Sequence, residues 1–163
     1  PADLARFLMR LFDRWYSDFM RGDYVSIRYF DNLVRMLNGQ SPEACDMAGR
    51  CSCNCVIESD GSVYPCDFYA LDEWKLGNIR EDSVNELLTC DKARAFVETS
   101  EKLDNACRHC RWYPLCRGGC RRECEPLPED GIRKNYFCKA YRRFLEHSYD
   151  RLAEIAGLLS RRI

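Results

Sequence analysis

Twelve cysteines lie in a chain of 163 residues, and they are grouped rather than scattered. The tightest group is Cys107-Arg-His-Cys110, followed by Cys116 and Cys120, with Cys138 one loop later. A Cys-x2-Cys pair sets two thiolates on one turn, close enough to grip one metal centre, and two more nearby complete a soft four-sulfur site. Four thiolates suit either zinc or an iron–sulfur cluster. A second group, Cys45, Cys51 and Cys66, is flanked by Cys53 and Cys55 and offers three separated ligands in search of a fourth. Two four-thiolate sites would use eight cysteines and leave four over. Spacing alone does not say which cysteine is shared between the groups.

A secreted disulfide scaffold is the first alternative, because an even cysteine count in a short chain invites it. The ligand-like spacing, two long amphipathic helices and the lack of an export pattern argue against it and point to the cytoplasm. The chain opens Pro1-Ala2-Asp3-Leu4, with neither an initiator Met nor a signal peptide, which is expected of a fragment of a longer protein. A formal net charge of −1, from 25 basic and 26 acidic residues, predicts no nucleic-acid partner. Apolar runs are interrupted by Arg, Asp or Lys every few residues, so no membrane span is expected.

Leu4, Phe7, Leu8, Leu11, Phe12, Trp15, Tyr16 and Phe19 recur at helical steps, with Asp3 as N-cap and Gly22 as stop. So wide a stripe needs a large partner, and the expected one precedes Pro1. Val25 to Tyr29 alternates like a short strand, and 30–38 reads as a second helix with Leu33, Val34 and Leu37 inward. Two β runs around Asp60-Gly61 read as a hairpin that presents Cys66 to the 45–51 loop. Ser83 caps a short helix to Leu88, another spans about 92–97, and Phe137 to Leu159 marks a long closing helix. The stretch from Cys107 to Cys124 lacks periodicity and must be ordered by something other than a core.

Several motifs now combine in one order. Cys-Asp-Met-Ala-Gly-Arg-Cys (45–51), Glu-Ser-Asp-Gly-Ser-Val-Tyr-Pro-Cys-Asp-Phe-Tyr (58–69), Leu-Gly-Asn-Ile (76–79) and Cys107-x2-Cys110-x5-Cys116-x3-Cys120 with Cys138 resemble the SPASM region of radical S-adenosylmethionine enzymes. The likeness is greatest to the anaerobic sulfatase-maturating enzymes. The resemblance implies two auxiliary [4Fe–4S] clusters, one on Cys45, Cys51, Cys66 and Cys120, the other on Cys107, Cys110, Cys116 and Cys138. Cys53, Cys55, Cys90 and Cys124 are left as ordinary thiols. The family's Cys-x3-Cys-x2-Cys motif for the radical-generating cluster does not occur here. S-adenosylmethionine and a third [4Fe–4S] cluster are therefore expected in a preceding segment, and this chain alone is expected to be inactive.

The fold class so implied is α+β: a small cluster-stapled domain with a β-hairpin, short helices and a long C-terminal helix. It would follow the last helix of a partial (β/α) barrel, giving 1–24 as that helix, 25–66 as the first cluster segment and 67–163 as the SPASM core with the closing helix. The implied activity is oxidation of a Cys or Ser of a sulfatase to formylglycine. A 5′-deoxyadenosyl radical takes one hydrogen atom, a base takes a proton, and a cluster takes an electron. Asp67, beside Cys66, matches the family's proposed base. The implied partners are a sulfatase polypeptide and an electron donor or acceptor protein.

Two other functions fit the same residues. One is a SPASM domain serving another peptide modification, such as thioether crosslinking. The other is a structural four-cysteine zinc module binding a protein partner, with zinc able to fill the thiols of a fragment made in air. Further residues read blandly. Arg117-Gly118-Gly119 occurs once, between ligands, as a tight turn whose N–H groups can point to sulfur. Arg117, Arg121 and Arg122 either offset cluster charge or are solvated. His109 is a spare ligand, His147 a helix-surface residue, and Trp15 with Tyr16 core.

Overall fold

The computed structural model describes residues 1–160. Its first layer is three helices: α1 (Ala2–Arg21), α2 (Arg28–Leu37) and α7 (Cys138–Ser160). The apolar stripe of α1 finds a partner within the chain, packing on α7 and α2. Phe12 meets Phe30 and Phe144 edge-on at 5.3 and 5.9 Å, and Phe30 stacks on Phe144 at 5.7 Å. Leu8, Trp15, Leu33, Val34, Leu145, Leu152 and Ile155 complete that core. Phe7, at the edge of the stripe, stays 59% exposed. α1 and α7 run in the same direction, since Asp13 bonds His147 and Arg151 while Tyr16 bonds Glu154.

The expected strand at 25–29 is not one. Residues 23–27 have no regular structure and no partner strand, and α2 already begins at Arg28. The segment runs back along α1, where the Trp15 indole N–H donates to the Val25 carbonyl at 2.8 Å. Alternation there records a chain segment lying on a helix. Gly22 ends α1 in the left-handed region as expected (φ 89°). The N-cap, however, is Pro1, and Asp3 sits in the first turn paired with Arg6.

The second layer is smaller. β1 (Val56–Ile57), β2 (Ser62–Tyr64) and β3 (Gly77–Asn78) form an antiparallel sheet in that order, with Ile57 opposite Val63 and Val63 opposite Gly77. The hairpin turn is fixed by Asp60, whose carboxylate accepts from the Ser62 amide (2.9 Å) and hydroxyl (2.8 Å). Gly61 has φ 87°, and a Cβ there would lie 2.6 Å from Asn78 Oδ1, so the crossing of β3 requires glycine. Next come α3 (Val84–Thr89), started by a Ser83–Glu86 capping box, and α4 (Asp91–Glu101). The aperiodic stretch resolves into two one-turn helices, α5 (Asn105–Arg108) and α6 (Tyr113–Cys116), and a 3-10 turn at Arg121–Cys124. The architecture is α+β, as the sequence implies. Among the described residues no helix is long and apolar enough to cross a membrane.

Candidate metal centres

Each expected ligand sits where local backbone chemistry holds it. Cys45 opens a 3-10 turn whose approach is anchored by Asn32, a buried side chain of α2 that accepts from the amides of Glu43 (2.5 Å) and Ala44 (3.4 Å). Cys51 is tied to the end of α4 by its amide, which donates to the Ser100 hydroxyl at 2.8 Å. Cys66 leaves the hairpin in extended conformation and begins the 3-10 turn Asp67–Tyr69. Cys107 lies in α5, Cys116 closes α6, and Cys138 opens α7.

The loops are then stitched together. Asn135 donates through Nδ2 to the Gly118 carbonyl (3.3 Å) and to Glu123 Oε2 (2.6 Å), and its own carbonyl receives the Cys138 amide (3.1 Å). Tyr141 donates to the other Glu123 oxygen at 2.9 Å. Gly118 and Gly119 make this approach possible. A Cβ at Gly118 would fall 2.5 Å from Leu103, and one at Gly119, with φ +70°, 2.3 Å from Asn135 Nδ2. Backbone amides also turn to sulfur, Phe68 to Cys66, Gly118 to Cys116 and Arg122 to Cys120. The expected role of the glycine pair is borne out at Gly118.

Electrostatic coupling links the expected ligands in two neighbourhoods, with Cys53 also coupled to Cys51 and Cys124 to Cys120. Cys116 is pushed up to about 11 by burial, against the Gly118 amide, and further by Cys138, Cys107 and Cys110. Cys107 is raised by burial, then by Cys138, Asp104 and Cys110. These four thiols line one cleft of about 760 Å³ together with Trp112 and Tyr113. In the other set Cys120 is raised by burial, with Cys51 and Cys45 adding to it. Cys66 is pushed up to about 11 by burial, with Asp67 and Cys120 adding to it. Cys45 and Cys51 border a second cleft of about 710 Å³, which also reaches Cys53.

Among the described residues no three His, Cys, Asp or Glu side chains converge closely enough to hold one metal ion. Four thiolates in each set are a donor chemistry that fits iron–sulfur ligation, in keeping with the Cys-only composition of both sets.

The remaining thiols have ordinary local partners. Cys124 is buried and donates to the Cys120 carbonyl (3.5 Å), Cys90 accepts the Ala93 amide as N-cap of α4 (3.4 Å), and Cys53 reaches the Ala93 carbonyl (3.8 Å). Cys55 holds a left-handed backbone, φ 54°. His109 is tethered through Nδ1 to the Asn105 carbonyl at 3.0 Å. His147 is an exposed residue of α7, as expected, and pairs with Asp13 across the α1–α7 contact. Trp15 is core.

Asp67 is exposed beside Cys66, whose thiol donates to its Oδ1 at 3.2 Å. Two features escaped the sequence. Arg121 and Arg133 are among the most buried side chains, 5% and 1% exposed, and Asn135 with Glu123 bridges the ligand loops. Arg133 stands in the polar run Asp130–Lys134, where no pattern signals burial.

Comparison with known proteins adds a second line of observation. Residues 45–111 match the family model SPASM, an iron–sulfur cluster-binding domain. Over 162 residues the chain is 48% identical to a cysteine-type anaerobic sulfatase-maturating enzyme of Clostridium novyi, covering 99% of this chain and 43% of that one. Against the cysteine-type enzyme of Clostridium perfringens identity is 46% over 158 residues, covering 96% and 42%. A serine-type enzyme of Bacteroides thetaiotaomicron is 30% identical, covering 90% and 36%. The solved structure of native anSMEcpe with bound AdoMet and Cp18Cys peptide superimposes with a TM-score of 0.93 at 46% identity, covering 98% of this chain and 44% of that chain. The chain thus spans less than half the length of the curated relatives it matches.

Proposed function

We propose that this chain is the cluster-bearing region of an enzyme oxidising a sulfatase side chain to formylglycine, because residues 45–111 match the SPASM iron–sulfur cluster-binding domain and nearly the whole chain is similar to anaerobic sulfatase-maturating enzymes. The observation that carries the proposal is the pairing of two separate four-thiol sets with one accessible carboxylate, Asp67, directly after a ligand of the first set. Cys45, Cys51, Cys66 and Cys120 would hold one [4Fe–4S] cluster, and Cys107, Cys110, Cys116 and Cys138 the other. When bound, such clusters supply a one-electron sink or source. S-adenosylmethionine, bound in a solved relative, would be held by residues other than those of this chain, which has no Cys-x3-Cys-x2-Cys spacing.

The chain's own residues then have defined tasks. The substrate side chain loses two electrons and two protons overall, and the proton on its sulfur or oxygen needs a base. Ligation of Cys66 requires the thiolate. As a ligand, Cys66 would no longer hold the proton it shares with Asp67, and that carboxylate would be free to accept one from the substrate. Phe68, 57% exposed beside it, offers an apolar contact for a peptide. The greater identity to cysteine-type than to serine-type enzymes favours cysteine as the residue oxidised. An electron-carrier protein completes the balance by exchanging one electron with the clusters.

The test uses the complete enzyme, reconstituted anaerobically, with a cysteine-containing sulfatase peptide. Asp67→Asn is expected to retain the iron and acid-labile sulfide of the parent while formylglycine, read by mass spectrometry, falls by about 10²–10⁴-fold, the usual contribution of a positioned base. Near-parental turnover removes Asp67 from the reaction. Zinc without acid-labile sulfide in the anaerobic protein removes the cluster reading as well.

A further inference from the structure

Two buried guanidinium groups flank the first thiol set: Arg133 forms no ion pair among the described residues, and Arg121 has one carboxylate, Glu125, which it shares with Arg122. Arg121 directly follows Cys120. Its guanidinium carbon lies 4.9, 4.7 and 5.2 Å from the ring centres of Tyr69, Trp74 and Phe96, and Nη1 donates to the Phe96 carbonyl at 3.4 Å. Its Nε has no hydrogen-bond partner. Glu125 Oε1 is 4.0 Å away, but that carboxylate already receives the Tyr69 hydroxyl and Arg122, both at 2.5 Å.

Arg133 is the largest fully buried side chain. It donates to the carbonyls of Gly119 (3.2 Å) and Gly49 (3.4 Å), one beside Cys120 and the other inside the 45–51 loop. Its Nε is also unpartnered, and among the described residues it forms no ion pair. The nearby carboxylate of Glu123 is engaged by Asn135 and Tyr141.

Burying a cation without a counter-charge is costly, and an arginine cannot relieve that cost by losing its proton. The compensating anion must therefore lie where both fields meet. That place is the thiol set, since Arg121 directly follows Cys120 and Arg133 bonds the carbonyls of Gly119 and Gly49, in the two loops that carry Cys120, Cys45 and Cys51. A cluster with four thiolates is net negative and gains a further negative charge on reduction, so adjacent buried cations favour the reduced form.

We propose that Arg121 and Arg133 are the counter-charges of the cluster seated on Cys45, Cys51, Cys66 and Cys120, and that they raise its reduction potential relative to the same site without them. They are positioning residues, acting on the cluster and not on the substrate, and the inference rests on the ligand assignment above. The aromatic ring around Arg121 keeps water from screening its charge, and the two carbonyl bonds of Arg133 fix its charge between the two ligand loops.

The complete enzyme, assembled anaerobically, provides the test. The signal of this cluster is identified in an EPR-monitored redox titration as the one lost in Cys51→Ala. Absence of such a signal in the parent would refute the ligand assignment itself, whatever the arginines do. With the signal present, Arg121→Gln and Arg133→Met are each expected to lower the reduced-to-oxidised ratio at fixed poise at least tenfold, equivalent to about 59 mV for one electron. The cluster on Cys107 should stay within about threefold. Arg121→Lys and Arg133→Lys should recover most of the shift, because charge and not shape is the operative property. A change below tenfold in both neutral variants, or an equal change in both clusters, overturns the proposal. If Arg133→Met fails to load iron, Arg133→Lys decides. Loading at the parental potential supports the charge role, and no loading refutes it.

Discussion

Glycine 119 shows how much of the ligand geometry rests on one residue. Its backbone is left-handed, and an added Cβ would lie 2.3 Å from Asn135 Nδ2 and 3.1 Å from Glu123 Oε2. Asn135 holds the Gly118 carbonyl and the Cys138 amide, so displacing it disturbs one ligand of each thiol set at once. Gly119→Ala is expected to cost about 1–3 kcal/mol, read by denaturant unfolding of the metal-free protein, and to lower iron content at both sites. A stable variant with full iron would show that the Asn135 bridge is dispensable. Residues of this kind are only half legible in a sequence. Two glycines between ligand cysteines signal a tight turn, as read, but nothing signals which side chain the turn admits. Asp67 is singled out through the family resemblance, and its contact with Cys66 follows from their adjacency in sequence. Arg121 reads as either a cluster counter-charge or solvated, and Arg133 is not singled out at all, because burial of a cation is decided by what distant segments bring to it, here Phe96, Gly49 and Gly119.

At the scale of elements, legibility follows the range of the determining contacts. Ser83 and Glu86 signal a helix start locally, and the capping box forms at that position. Asp60-Gly61 likewise fixes its hairpin. β3 escaped because two residues, Gly77 and Asn78, carry no alternation and are strand only by pairing with β2. The α1–α7 contact escaped for a related reason, since a stripe names the face of a helix and not its partner. That contact carries a polar seam: Asp13 accepts from His147 at 2.7 Å and from Arg151 at 2.8 Å, and Arg151 lies 4.9 Å from the Phe12 ring. Burial alone would raise the Asp13 carboxyl, but the hydrogen bonds and charges of His147 and Arg151 outweigh it and hold the group below its ordinary value. A depressed folded pKa means the stabilisation is complete above the unfolded value of about 3.9 and is lost as pH falls through the lower folded value. Asp13 is 46% exposed, so solvent screens the pair. Asp13→Asn is expected to cost about 0.5–1 kcal/mol at neutral pH. By calorimetry the gap to the parent should begin to narrow as pH falls below the unfolded value; a gap independent of pH would show packing, not charge, at work.

Across the whole molecule the two layers are held by different physics. The helical layer has a continuous aromatic and aliphatic core from Leu8 to Ile155. The ligand loops have no such core. Their contribution to it is chiefly Met47, Trp112 and Leu115, and the rest of 45–55 and 105–124 is held by turns, single hydrogen bonds and glycine close approaches. Their positions are also ones from which the thiols must be deprotonated to bind metal, with Cys66 and Cys116 both pushed up to about 11 by burial first of all. Cluster binding must supply the free energy that moves those protons, and what remains stabilises the loops. Spacing made the two sets legible as groups because each cysteine pair is local. It could not pair Cys66 with Cys120 or Cys116 with Cys138, since those couplings cross 54 and 22 positions of chain and depend on the fold bringing the loops together. Removing iron anaerobically should therefore act unevenly. Amide exchange, followed by mass spectrometry, is expected to accelerate more than about tenfold in 45–55 and 105–124, and by less than about threefold in the buried turns of α1, α2 and α7. Equal acceleration everywhere would mean that the aromatic core cannot stand without the clusters, and no acceleration in the loops would mean that their hydrogen bonds suffice. Either result would separate the energetics of the fold from those of its metal sites, which the unequal distribution of apolar contacts says should already be distinct.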